Sequence, residues 1–158
     1  MKNTFKRSGA ALISLVLLLV LAVSAGAASS QNVGVKFWKE RSDKESMANS
    51  GIDSNRTATL TRQANGTYTL TLPVKQVSKL GVTGYLSGLT IGDVTYDGTL
   101  TGDFNKATAV LTIKNLPASV LTGSDSSKAL AVTCSIKMDT ILLGDISTSA
   151  KMSIWVER

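Results

Sequence analysis

The chain has 158 residues, with 17 Lys or Arg, 11 Asp or Glu, one cysteine, no histidine and an aromatic content of 5%. Without histidine, Ser-His-Asp and Cys-His catalysis are excluded, as is any histidine metal site. A single cysteine allows no internal disulfide, and the length fits one domain.

In chain order, Lys2, Lys6 and Arg7 come first, followed by an apolar run from Ala10 to Val23 broken only by Ser14. The run ends in Ser24-Ala25-Gly26-Ala27-Ala28, an A-x-A cleavage pattern. This predicts a secretory signal peptide over 1–28. The run is shorter than the ~20 residues a membrane helix needs, and no second one follows, so no membrane span is expected after cleavage. No cysteine follows the run, which argues against a lipoprotein anchor. The expected protein is secreted or extracellular, held at a cell surface only through a partner. Of the 17 basic residues, 14 remain without Lys2, Lys6 and Arg7; set against 11 acidic ones they leave +3 in place of +6. Those charges are scattered, so nucleic acid is not an expected partner.

Residues 29–34 read as a flexible leader and 35–158 as the folded domain. Short segments with period-two alternation follow one another, separated by turn signals. Val33 to Trp38 is the first and Thr57 to Gln63 the second. Asn65-Gly66, a strong hairpin signal, leads into Thr67 to Val74, where Tyr68, Leu70 and Leu72 share a face. Val82 to Ile91, Val94 to Leu100 and Ala107 to Ile113 come next, and Asn115-Leu116-Pro117-Ala118 ends that series. Leu130 to Met138 and Ala150 to Val156 close the chain as a hairpin. Helical periodicity is weak throughout. The expected fold is all-β, an antiparallel immunoglobulin-like sandwich of seven to eight strands.

Cys134 lies in phase with Leu130, Val132 and Ile136, so a core position is expected, with a thiolate-ligand role the minor reading. The carboxylates fall in turns such as Tyr96-Asp97-Gly98 and Gly102-Asp103, with no pair set to converge. No enzyme is expected, and a carboxylate hydrolase lacks its facing pair.

Three features occur in a set order: the strand VGVKFWKE with a loop containing Ser46-Met47-Ala48-Asn49, the pair RTATL and NGTYTLTL, and the hairpin LAVTCSIKMDTILLGDISTSAKMSIWV. This order resembles a NEAT (near-transporter) domain, the haem-binding β-sandwich of Gram-positive surface and secreted proteins. The resemblance spans about Val35 to Val156. It implies a short 3₁₀ turn after the first strand that forms a lip over haem b, with Ser46 where the family's serine bonds a propionate, and with Ala48 and Lys44 as further lip or propionate contacts. The family's axial ligand is usually the first tyrosine of Y-x-x-x-Y on the penultimate strand; here Met138 stands at the matching position and Leu142 four residues on. The methionine-ligand variant is thus implied, with Met138 and Met47 as axial ligands of the haem iron and Trp38, Met152, Ile154 and Leu142 as candidate pocket wall. A thioether is soft and neutral, favours lower-valent iron and raises the haem potential. The implied role is capture of haem, from host haemoproteins or other haem-binding surface proteins, and its onward transfer in iron acquisition.

Plainer readings stand beside these. Met47 also suits a hydrophobic plug at a sandwich end, and Met138 and Met152 suit ordinary core positions. Ser46 also suits a turn cap. Tyr85 and Tyr96 are the oxygen ligands that remain if the hairpin aligns differently. The alternative function is a haem-free, adhesin-like interaction module, which the low aromatic content supports poorly.

Overall fold

The computed structural model describes residues 28–79, 81–140 and 144–158. The expected signal peptide and Leu142 lie outside them, apart from Ala28.

The strands are β1 (Ser29–Lys39), β2 (Ala58–Arg62), β3 (Tyr68–Pro73), β4 (Val77–Lys79), β5 (Val82–Ile91), β6 (Val94–Thr101), β7 (Val110–Leu116), β8 (Leu130–Met138) and β9 (Ile146–Val156). All pair antiparallel in one sheet, ordered β4-β5-β6-β7-β3-β2-β1-β9-β8. A further ladder joins β5 to β8, so the sheet closes into a ring of eight strands with β4 appended beside the start of β5. The antiparallel all-β expectation holds. In place of the two separate sheets of an immunoglobulin-like sandwich, one continuous sheet closes into a barrel-like sandwich. Closure removes the unpaired edges that invite aggregation. A 3₁₀ turn, Met47–Gly51, follows β1 as expected, and two further ones occur at Ala118–Val120 and Ser126–Lys128.

The core follows from alternation. Leu70 and Leu72 of β3, Leu111 and Ile113 of β7, and Met152 and Ile154 of β9 are each at most 1% exposed. Period-two spacing puts them on the inner face, where each buried aliphatic side chain contributes roughly 2 kcal/mol of transfer free energy. Cys134 joins them, and burial pushes its thiol up to about 12. It is a core residue, as expected, and does not line the cleft described below.

Some boundaries differ from those expected. Ser29–Asn32 are no loose leader: they are the start of β1, paired with Arg62–Thr59 of β2. The segment is polar on both faces, so its alternation is silent in the sequence. β4 was missed because it has three residues. The strand expected from Ala107 begins at Val110, because Ala107 adopts φ 51 in a turn closed by Thr108 N–H donating to the Asp103 carbonyl at 3.0 Å.

Between the 3₁₀ turn and β2, Asp53 ties the loop to the body. Its carboxylate accepts from Arg56 Nε at 2.8 Å and from the Asn55 N–H at 3.2 Å, and Arg56 also donates to the Ala109 carbonyl at 2.5 Å. The Arg56 guanidinium, and then the Asn55 amide, hold the Asp53 carboxyl below the usual carboxylate range against the opposing effect of its burial. A depressed native pKa stabilises the fold above the ordinary carboxylate value, and this contribution is lost as pH falls through the native one. Asp53→Asn is therefore expected to cost on the order of 2 kcal/mol at pH 7. The difference from wild type should shrink as pH falls below the ordinary carboxylate range, as followed by urea unfolding at stepped pH.

Candidate functional site

The site is a cleft between the 3₁₀ turn and one end of the closed sheet. Its upper wall, the lip, is built by a reversal of the chain after β1. Lys39 N–H donates to the Lys44 carbonyl at 2.8 Å, Trp38 bridges Glu45, and Ser46 N–H donates to the Phe37 carbonyl at 2.9 Å. Ser46 then caps the turn: its Oγ accepts from the Ala48 N–H at 3.3 Å, an N-cap arrangement for a residue in extended conformation. Asn49 fastens the turn to β1. Its Oδ1 accepts from the Phe37 N–H and its Nδ2 donates to the Phe37 carbonyl, each at 2.7 Å. Met47 stands at the tip and is 59% exposed.

The floor comes from β5, β8 and β9. Register places Gly84 opposite Met138, Leu86 opposite Ile136, and Ile136 opposite Ile146. Gly84 is needed here. A Cβ on it would lie 2.8 Å from Met138 Sδ and 2.9 Å from the Lys137 carbonyl oxygen. The missing side chain is the space the Met138 thioether occupies.

Together these elements enclose a cavity of about 370 Å³. Met47, Ala48 and Gly51 line it from the lip, and Val77 from β4. Val82, Gly84, Tyr85 and Leu86 line it from β5, and Ile136, Met138, Ile146 and Thr148 from the β8–β9 hairpin. None of the lining residues is charged. Such a volume with an almost wholly apolar wall suits a ligand that is itself mostly apolar. Exposed Met47 and Ile146, the latter 44% exposed, flank the mouth. The lining residues with soft or polar side-chain atoms are Met47, Met138, Tyr85 and Thr148. The Tyr85 ring packs on Phe104 with centroids 5.2 Å apart.

The structure thus brings Met47, Ala48 and Met138 to one cavity. Ser46 lies one residue outside it as the cap, and Lys44 is exposed on the approach to the lip. Trp38, Met152 and Ile154 do not line the cavity. Register pairs Phe37 with Met152 and Val35 with Ile154, which seats both β9 residues in the core at 0% exposure. Trp38 has the opposite parity to Phe37; its Nε1–H donates to Ser153 Oγ at 2.9 Å and Lys36 Nζ sits 4.4 Å from its ring centroid. Tyr96 is partly buried against the core. Of the β5 residues at the cleft, Tyr85 is one of the two alternative oxygen ligands, whereas Val82, Gly84 and Leu86 carry no sequence signal separating a cleft from a core. Ile136 was legible as a phase-mate of Met138. Among the described residues no group of three or more acidic or cysteine side chains could hold a metal ion.

No protein-family model and no curated protein matches the chain. Solved structures do. The NEAT5 domain of IsdX2, a B. anthracis haemophore, in complex with haem, superposes with a TM-score of 0.53 at 12% identity, covering 83% of this chain and 98% of that one. A point mutant of the same domain, also in complex with haem, gives a TM-score of 0.51 at 13% identity, with the same coverages. At these identities the likeness establishes the fold: the chain is folded as those NEAT domains are.

Proposed function

We propose that the chain is a secreted or surface-associated haem-binding protein that captures haem in the cleft between lip and hairpin and passes it on, without catalysis. The observation that carries this reading is the uncharged cleft with one methionine on the lip and another on the sheet, in a fold shared with haem-bound domains. A porphyrin needs a slot with apolar walls and an axial donor, and the residues present supply both. Met138 is the donor from the sheet and Met47 the donor from the lip, in keeping with the methionine-ligand variant of the NEAT pattern.

Haem is here the cargo. The apolar residues of β5 and the hairpin would bury the macrocycle and exclude water from it. A thioether holds ferrous iron better than ferric, so this donor pair favours a cargo that is held when reduced and yielded more easily when oxidised. The open mouth leaves the charged edge of a porphyrin in solvent, near Ser46 and Lys44. Export by the expected signal peptide would place the cleft where external haem is met.

The test is a haem titration of the mature chain, read by absorption in both oxidation states. A saturable one-to-one Soret change with sharp ferrous α and β bands is expected. A broad, unsaturable spectrum of loosely associated haem would sink the reading and favour the interaction-module alternative.

A further inference from the structure

β1 is paired along its full length on neither edge. One edge pairs with β9 from Val33 to Lys39, whereas the other pairs with β2 only from Ser29 to Val33. Beyond Val33 the second edge would leave backbone groups without a strand, beside a Phe37 side chain that is 0% exposed. Buried backbone N–H and C=O groups need partners.

The lip supplies them at Phe37. The carbonyl of Phe37 accepts from both Ser46 N–H and Asn49 Nδ2, and its N–H donates to Asn49 Oδ1. The Asn49 amide therefore reproduces, with one side chain, the two-bond exchange of an antiparallel strand pair. A carboxamide carries an acceptor and a donor side by side in one plane, as a peptide group pair does, whereas an aspartate would present a second acceptor to a carbonyl. Asn49 also sits inside the turn, flanked by the lining residues Met47, Ala48 and Gly51. Phe37, the residue it grips, has its side chain anchored in the core and stands opposite Met152 of β9 in the register of the sheet.

We infer that Asn49 is a positioning residue: it latches the lip to the core through Phe37, fixes the height of Met47 over the cleft, and so sets how long the cargo is retained. The retention part rests on the haem reading; the latch does not.

The test uses Asn49→Asp and Asn49→Ala in the mature chain, with Ser153→Ala as control. Ser153 is a buried polar residue bonded to the Trp38 indole and the Asp125 carbonyl, outside the cleft, so its loss destabilises the fold without removing a hydrogen bond of the 3₁₀ turn. Two readouts are taken. Hydrogen exchange of the Ala48, Asn49 and Ile52 amides without haem reports the latch. Haem release to an excess of a haem-scavenging protein reports retention. Both Asn49 variants should raise lip exchange and speed release about tenfold, the equivalent of two lost neutral hydrogen bonds, with association nearly unchanged. Ser153→Ala should do neither. Unchanged lip exchange overturns the latch. Faster exchange with unchanged release, or equal acceleration by Ser153→Ala, overturns the positioning role. If wild type takes up no haem, the proposed function fails while lip exchange still decides the latch.

Discussion

Met138→Ala is expected to abolish the sharp ferrous bands and weaken haem binding by about a hundredfold, equivalent to about 2.7 kcal/mol. Met138 lies on the floor, fixed by strand pairing with Gly84, so its thioether is presented by a rigid element and no lip movement can replace it. The fold itself should change little. Met138 is only half buried and borders an open cavity, so truncation adds to existing space and should cost about 1 kcal/mol, at the low end of large-to-small substitutions. That separation makes the result interpretable: a large loss of affinity with a small shift in unfolding midpoint is the signature of a ligand. Met47→Ala is expected to leave a five-coordinate spectrum with weaker, faster-exchanging haem, because its donor comes from the more exposed lip. Tyr85→Phe, which deletes the phenol oxygen of another lining residue, one whose ring packs on Phe104, should leave the spectrum unchanged. A Met138→Ala spectrum identical to wild type, or loss of binding in Tyr85→Phe, would transfer the ligand role from thioether to phenol.

The fold class and most strands were legible because alternation is strong where one face is buried. Val82–Ile91 and Leu130–Met138 were read with the bounds they have, and Asn65-Gly66 marked a real hairpin turn, with Gly66 at φ 83. What alternation could not convey is closure. The β5–β8 ladder joins segments far apart in sequence, and nothing in either strand differs between an open sheet and a closed one. The lip methionine and the hairpin methionine were singled out, and they meet at one cavity. Of the expected wall, Met152 and Ile154 share a face with cleft-lining Thr148 but lie deeper along the strand, in the core. Parity is readable in a sequence; depth along a strand depends on register with neighbours. For the same reason Asn49 was read as part of a loop. Its role arises only because β2 stops at the Val33 pair and leaves the edge of Phe37 to be filled.

The preorganised cleft therefore depends on two different devices. The lip is held by polar bonds to a strand edge. The floor is shaped by the absence of a side chain. The second can be tested with a single methyl group.

Gly84→Ala is expected to lower both stability and haem affinity. The added Cβ would stand 2.8 Å from Met138 Sδ and 3.3 Å from Ile136 Cγ2, and also 2.9 Å from the Lys137 carbonyl oxygen. A flexible thioether can swing away, but the carbonyl belongs to β8 and cannot move without disturbing the β5–β8 ladder that closes the sheet. Overpacking of this kind costs typically about 1–3 kcal/mol. The displaced thioether no longer points where a porphyrin iron would sit, so affinity should fall at least about tenfold beyond what destabilisation explains. Gly51→Ala is the matched comparison. It lines the same cleft, yet its Cβ would meet Val77 Cγ2 at 3.8 Å, an ordinary contact. That variant should bind haem within a few-fold of wild type and unfold at nearly the same urea concentration. Paired urea unfolding and haem titrations of the two variants decide the matter. Equal, small effects of both methyl groups would show that the Gly84 gap does not aim Met138, whereas loss confined to Gly84→Ala ties the closing ladder of the barrel directly to the donor in its cleft.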